Sequence, residues 1–202
     1  MTDDEVEVFA ACVAGGGVAL FPADTVYGLA TSPESESGVR RLYEIKGRPP
    51  ERPAAVMFFS LDGALAALEE VGPRTSGAIE RLLPGPLTLV LANPRGLYPL
   101  ACGPVPERLG VRVPQLTGPV EPLRAVRTPV LQSSANRSGE ADARRLEDVD
   151  ESVRAEVDVK LDAGELPGTP STVVDLSSYE EGGRFEVLRE GAVPAARLAA
   201  EL

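Results

Sequence analysis

Lys46-Gly47-Arg48-Pro49-Pro50-Glu51-Arg52-Pro53 joins a helical pattern to a strand pattern, and that junction sets the kind of fold this chain can have. Each proline fixes its own φ and pushes the residue before it toward extended geometry, so the helix that reaches Lys46 cannot run on through Arg48 or Arg52. Upstream, Val39, Leu42, Tyr43 and Ile45 form a helical stripe over Glu36 to Lys46, and Lys46 in the last turn suits the helix dipole. Downstream, Ala54 to Phe59 is an apolar strand. Three cations on a stiff segment suit an anion in a chain of net charge −11, because arginine offers a planar fork matched to phosphate and carboxylate. The residues equally allow a solvated surface loop.

Outward from this junction, helices and strands mix without strict alternation. Asp3 to Ala14 predicts an amphipathic helix carrying Val6, Phe9, Ala10 and Val13, with Thr2 or Asp3 as cap and Gly15-Gly16-Gly17 as stop. Val18 to Phe21 reads as a buried strand, and the segment Pro22 to Ala30 places Asp24, Thr25 and Tyr27 at its carboxyl end, where open α/β sheets collect ligands. The alternative reading of the same segment is an Asx or Thr turn leaving the sheet. The triple glycine precedes its strand, so no dinucleotide fingerprint is present.

Further on, Leu61 to Glu70 and Pro73 to Leu83 predict helices, Leu87 to Leu91 a strand and Asn93 to Glu107 an irregular loop. Leu109, Val111 and Val113 share one strand face, leaving Arg112 on the other, toward solvent or a cleft. Pro119 to Arg127 suggests a short helix and Val130 to Gln132 a strand that ends in the polar turn Ser133 to Gly139, which offers hydroxyls, an amide and free backbone donors. Leu146, Val149 and Val153 mark a weaker helix, and Val157 to Leu161 a strand. Ser171 to Leu176 and Phe185 to Ala192 are strands, the last delivering Arg189 near its end, and Pro194 to Leu202 closes with a helix. The predicted fold is mixed α/β: a twisted, largely open mixed sheet with helices packed on it, residues 1–202 forming a single domain.

Composition excludes more than any one motif proves. The chain has 43% hydrophobic and 25% charged residues, which are globular values, and no run approaches the ~18 apolar residues of a membrane span. The acidic start Met1-Thr2-Asp3-Asp4-Glu5 does not resemble a secretory signal, so a cytoplasmic location is expected. Cys12 and Cys102 have no ligand-like spacing and read as small buried residues, without disulfide or zinc. With no histidine, imidazole-based hydrolases and His-ligated metal enzymes are ruled out, so any catalysis must rest on positioning and charge. A pI near 4.6 also argues against a broad duplex-binding face.

Several motifs in order resemble the YrdC/TsaC family, the threonylcarbamoyl-AMP synthases, in their single-domain form. They are Gly16-Gly17-Val18, Asp24-Thr25-Val26-Tyr27-Gly28-Leu29, Lys46-Gly47-Arg48-Pro49, Leu83-Pro84-Gly85-Pro86-Leu87-Thr88, Val111-Arg112-Val113-Pro114, Ser134-Ala135-Asn136-Arg137-Ser138-Gly139, Ser171-Thr172-Val173-Val174-Asp175 and Leu188-Arg189. Each alone is weak; their order and spacing carry the resemblance, which spans nearly the whole chain.

The resemblance implies that L-threonine, bicarbonate and ATP yield threonylcarbamoyl-AMP and pyrophosphate, for threonylcarbamoyladenosine modification of tRNA. Such nucleotidyl transfer runs on positioning and electrostatics, without a protein nucleophile. By the same resemblance Lys46 and Arg48 are the expected catalytic residues. Arg48, Arg52, Ser134, Asn136 and Arg189 are expected to hold ATP, and Thr25, Arg112 and Ser171 to surround threonine, with Arg112 on its carboxylate. Mg²⁺ is expected to arrive with the phosphates, without an assigned protein ligand. A downstream transferase complex that carries the adenylate to tRNA is an expected partner; direct tRNA contact stays open. Ala23 stands where the family often has threonine, and Met57 where longer, two-domain members carry a histidine. The alternatives are a related carbamoyl-adenylate-forming enzyme and a noncatalytic RNA-binding module of the same fold.

Overall fold

A computed structural model describes residues 1–202 and builds them around one nine-stranded sheet, in the order β7-β1-β2-β6-β3-β5-β4-β8-β9. The strands are β1 (Ala19–Pro22), β2 (Tyr27–Thr31), β3 (Ala55–Met57), β4 (Leu87–Ala92), β5 (Arg108–Arg112), β6 (Val130–Ser134), β7 (Val159–Lys160), β8 (Thr172–Asp175) and β9 (Glu186–Arg189). Pairs β1/β7, β3/β5 and β4/β8 are parallel and the other neighbours antiparallel, so the sheet is mixed, as the irregular order of helices and strands predicts.

The helices are α1 (Asp3–Ala14), α2 (Glu36–Lys46), α3 (Leu61–Ala67), α4 (Pro73–Leu82), α5 (Pro99–Cys102), α6 (Glu151–Glu156) and α7 (Ala195–Glu201). Thr2 caps α1 in a capping box with Glu5, and the helix buries Val6, Phe9 and Val13, one stripe facing the sheet. Ser35 caps α2, and Gly47 ends it in the left-handed region at φ 57°, a conformation that suits glycine. Gly38 on α2 lies so close to Thr31 Oγ1 and the Gly16 carbonyl that a Cβ there would overlap both, which lets the helix sit tightly on β2. Phe9, Phe21 and Phe59 meet with ring centroids 5.3–6.5 Å apart, inside one apolar cluster running from Val6 to Leu198. No helix is long and apolar enough to cross a membrane.

The largest correction concerns Pro22 to Ala30. It is a hairpin rather than one loop: only Ala23 to Val26 turn, and Tyr27 opens β2, antiparallel to β1 with Pro22 opposite Tyr27. The strand was hidden because every residue of β2 is buried, so it shows no alternation. The loop Asn93 to Glu107 contains α5, and the helix expected over Pro119 to Arg127 is a 3₁₀ segment, Gly118–Ala125, where Pro122 removes a donor. The strand at Ala54 to Phe59 shortens to β3, and the helix from Leu61 stops at Ala67 rather than Glu70.

Candidate functional site

A cleft of about 440 Å³ opens on one face of the sheet. Its floor comes from β2, β3, β4, β5 and β8 through Gly28, Ala55, Val90, Gly110 and Val173. Register explains this: Ala55 pairs with Gly110 and Val90 with Gly110, so these small side chains share a face and leave room above it. Four guanidiniums line the cleft, those of Arg48, Arg108, Arg112 and Arg189, against one carboxylate, Asp142. Arg108 and Arg112 are paired with Asp175 and Asp24, so in a protein of net charge −11 the uncompensated positive charge of this concave site rests on Arg48 and Arg189, where low-dielectric walls strengthen their field. No group of three or more His, Cys, Asp or Glu side chains could hold a metal ion by itself.

One end of the cleft is built by the C-terminus of α2 and the turn after β6. Gly47 swings the chain out of the helix, and the prolines behind it direct Arg48 into the cleft. The Arg48 guanidinium stacks 5.5 Å from the Tyr43 ring centroid, donates from Nη1 to Ser133 Oγ at 3.2 Å and from Nη2 to the Pro53 carbonyl at 2.5 Å. Its Nε is buried with no acceptor, and burial holds its pKa below the usual arginine value. Lys46, 2% exposed, turns the other way. Its ammonium donates to the carbonyls of Ser134 and Asn136, the latter at 2.7 Å, and to Asn136 Oδ1 at 3.0 Å. Ser134 Oγ also donates to Asn136 Oδ1 at 2.6 Å, and Ser138 N–H returns to the Lys46 carbonyl at 2.9 Å, so the turn is bolted to the helix end. All three acceptors are neutral; burial, with Arg48 adding, pulls the Lys46 pKa down to about 8.

The other end holds a buried ion pair. Arg112 Nη2 donates to Asp24 Oδ1 at 2.8 Å and lies 3.3 Å from Thr25 Oγ1, the Arg112 and Asp24 side chains being 5% and 4% exposed. Asp24 Oδ2 accepts the Gln115 N–H at 3.0 Å. Losing one partner of such a pair leaves a buried charge uncompensated, at a cost of about 3–5 kcal/mol. Burial lowers the Arg112 pKa, Asp24 opposing and Arg189 reinforcing. Nearby, Ser171 Oγ shares a hydrogen bond with Thr88 Oγ1 at 2.9 Å, and Arg189 Nη2 donates to the Ser171 carbonyl at 2.7 Å. Behind this end, the Tyr27 hydroxyl donates to Asp162 Oδ1 at 2.7 Å and accepts from Ala163 N–H at 3.1 Å, tying the segment 162–170 to the hairpin.

Of the residues singled out from sequence, Arg48, Arg112, Ser134, Ser171 and Arg189 line this one cleft. Lys46, Asn136 and Thr25 stand just behind it, each bonded to a lining residue. Arg52 is exposed and off the lining; its carbonyl, not its guanidinium, is used, accepting the Tyr43 hydroxyl at 2.7 Å. Met57 lies opposite Arg112 in the β3/β5 register, on the face it shares with Ala55 and Gly110, but is fully buried and off the lining. Sequence reading missed Arg108, Thr88 and Asp142. Arg108, Gly110 and Arg112 alternate along β5, a period of two that points Arg108 to the same side, where it pairs with Asp175 at 2.8 Å. Nothing in the order of residues signals Asp142.

The Sua5/YciO/YrdC family model, described as "Telomere recombination", matches residues 11–191. A Pyrococcus abyssi relative named threonylcarbamoyl-AMP synthase is 28% identical over 191 residues, covering 94% of this chain and 55% of the relative. A Methanocaldococcus jannaschii relative named putative threonylcarbamoyl-AMP synthase is 26% identical over 93% of this chain and 86% of its own length. Among solved structures, Pyrococcus abyssi Sua5 complexed with L-threonine superposes with a TM-score of 0.86 at 27% identity, over 100% of this chain and 58% of that one. The chain thus spans little more than half the length of its Pyrococcus abyssi relative.

Proposed function

The chain belongs to the Sua5/YciO/YrdC family, and on that premise we propose that it makes threonylcarbamoyl-AMP from L-threonine, bicarbonate and ATP, for threonylcarbamoyladenosine modification of tRNA. The amine of threonine and bicarbonate condense to a carbamate with loss of water. A carbamate oxygen then attacks the α-phosphorus of ATP, and the bond to the β,γ unit breaks, so pyrophosphate leaves with the electron pair. No protein nucleophile or imidazole takes part, which suits a chain without histidine. Residues 1–202 work as one YrdC-like domain in this reading.

The observation that carries the proposal is the single cleft with two differently charged ends. At the Arg48 end the guanidinium has no acidic partner, so its full charge serves the polyphosphate, with Ser134 beside it. At the other end Arg112, Thr25 and Ser171 receive the amino acid, Arg112 pairing its carboxylate, and Arg189 lies between the two substrates. Lys46 and Asn136 serve the nucleotide by holding the Ser134–Ser138 turn in place, which is how a side chain with every donor engaged contributes. Arg52, exposed and off the lining, would reach the phosphates only by extending its side chain from solvent. Mg²⁺ keeps most of its ligands as water and phosphate oxygen and needs one or two carboxylates. Asp142 meets that need as the one carboxylate of the lining, and the ion would neutralise phosphate charge beside it.

Pyrophosphate release with ATP, bicarbonate and threonine tests the reading. Release is expected only with all three present, and the product should feed a tRNA-modifying transferase complex. Release that ignores threonine would overturn it.

A further inference from the structure

We infer that Asp24 is a positioning residue for substrate selection: it takes up one side of the Arg112 guanidinium and offsets its charge, leaving a directed socket of reduced positive charge for a single carboxylate. The inference rests on the assignment of Arg112 to the threonine carboxylate and adds a residue that this assignment does not include.

Three observations converge. Asp24 is held at both oxygens, Oδ1 by Arg112 Nη2 at 2.8 Å and Oδ2 by the Gln115 amide at 3.0 Å, so its carboxylate cannot swing. Its own backbone is anchored as well, because the Ala23–Val26 turn is closed by a hydrogen bond and the Thr25 carbonyl accepts the Gly168 amide at 2.9 Å. Arg112 has donors left over: Nη2 carries both protein contacts, Nη1 carries none, and Nε is buried with no acceptor. A guanidinium has five N–H donors in fixed directions, so fixing one nitrogen fixes where the others point. Nε is enclosed and beyond a ligand's reach, so the donor that Arg112 offers to the cleft is Nη1, which makes no protein contact.

Charge supplies the selectivity. Asp24 and Arg112 together are neutral, which leaves Arg189, bonded only to Ser171, as the cation of that end, whereas Arg48 at the opposite end faces only a hydroxyl, a carbonyl and a ring. A polyanion gains most at Arg48, and a planar monoanion that makes good hydrogen bonds gains most at Arg112. Asp24 thereby keeps phosphate groups out of the amino-acid end.

The test compares parent, Asp24→Asn, Arg112→Ala and the double variant by steady-state pyrophosphate release, together with ¹⁵N-arginine NMR of the ligand-free protein. Asp24→Asn is expected to raise the threonine KM at least tenfold with the ATP KM within about twofold, and to add less than about twofold on top of Arg112→Ala. Inorganic phosphate should become competitive with threonine in Asp24→Asn and not in the parent. Equal effects on both substrates, or full additivity with Arg112→Ala, overturn the inference. Should Asp24→Asn fail to fold, Asp24→Glu keeps the charge and displaces it by one methylene; an unchanged threonine KM there overturns it equally. The NMR arm decides without turnover: separated, slowly exchanging Arg112 η signals in the parent that collapse in the variant support Asp24, and averaged signals in the parent sink it. If Arg112→Ala leaves the threonine KM unchanged, the amino-acid assignment has failed, whatever the NMR shows of Asp24.

Discussion

The Arg48 guanidinium lies 5.5 Å from the ring centroid of Tyr43, so a helix side chain on the last turn of α2 supports the cation that the following loop presents to the cleft. The ring braces the fork from below while Ser133 and Pro53 hold two of its nitrogens. Direction comes from the helix and charge from the loop.

Arg48→Ala is therefore expected to lower kcat/KM for pyrophosphate release by about ten- to a hundredfold or more. Loss of a charge-assisted phosphate contact is worth ~1.5–3 kcal/mol, and a half-buried loop residue has little packing to lose. Arg48→Lys should recover little of this, since an ammonium cannot reproduce a bidentate fork or stack on Tyr43 as well. Parent-like turnover in either variant would move the phosphate site elsewhere.

Lys46 gives a stability that depends on pH. Its pKa falls from 10.5 unfolded to about 8 folded, so the folded protein binds fewer protons between those values and stability rises with pH across that window. The drop is worth roughly 3 kcal/mol in full. Urea midpoints from pH 7.5 to 10 should climb in the parent relative to Lys46→Met, which lacks the titrating group. Parallel curves for the two proteins would show that Lys46 keeps an ordinary pKa.

Tyr27→Phe removes a hydroxyl with three partners, Asp162, Gly164 and Ala163, at 2.7–3.1 Å. Asp162 and Gly164 are exposed and Ala163 half-buried, so they can turn to water and the loss is that of the hydrogen bonds themselves, about 1–3 kcal/mol together, while a chain of this size loses about 2–4 °C in Tm per kcal/mol. We expect a Tm lower by roughly 2–10 °C and increased proteolysis within 162–170, the segment the hydroxyl anchors. A Tm within one degree of the parent would contradict this.

Met57 bears on amino-acid choice. It is fully buried beside Arg112 in the register, and a thioether offers no donor with which to read a hydroxyl. Discrimination of threonine from serine should then rest on packing of one methyl group, worth ~1–3 kcal/mol, making serine a poor but measurable substrate at about 10- to 200-fold lower kcat/KM. A preference beyond about ten-thousandfold would reveal a polar reader of the substrate.

From the residues alone came the helices at Asp3–Ala14 and Glu36–Lys46, to the residue, because caps, glycine stops and a 3.6-residue stripe are local signals. Local signals likewise marked Arg48 after its helix end and Arg112 opposite a valine face. Strand β2 escaped because a strand buried throughout has no period to read. The long-range contacts were decided by tertiary structure. That Lys46 spends its ammonium on Ser134 and Asn136, that Arg112 meets Asp24 across 88 positions of chain, and that Arg52 stays in solvent follow from strand order and register. Neighbours in a sheet need not be neighbours in sequence, so a one-dimensional pattern can name the charged residues but cannot say which of them will face one another.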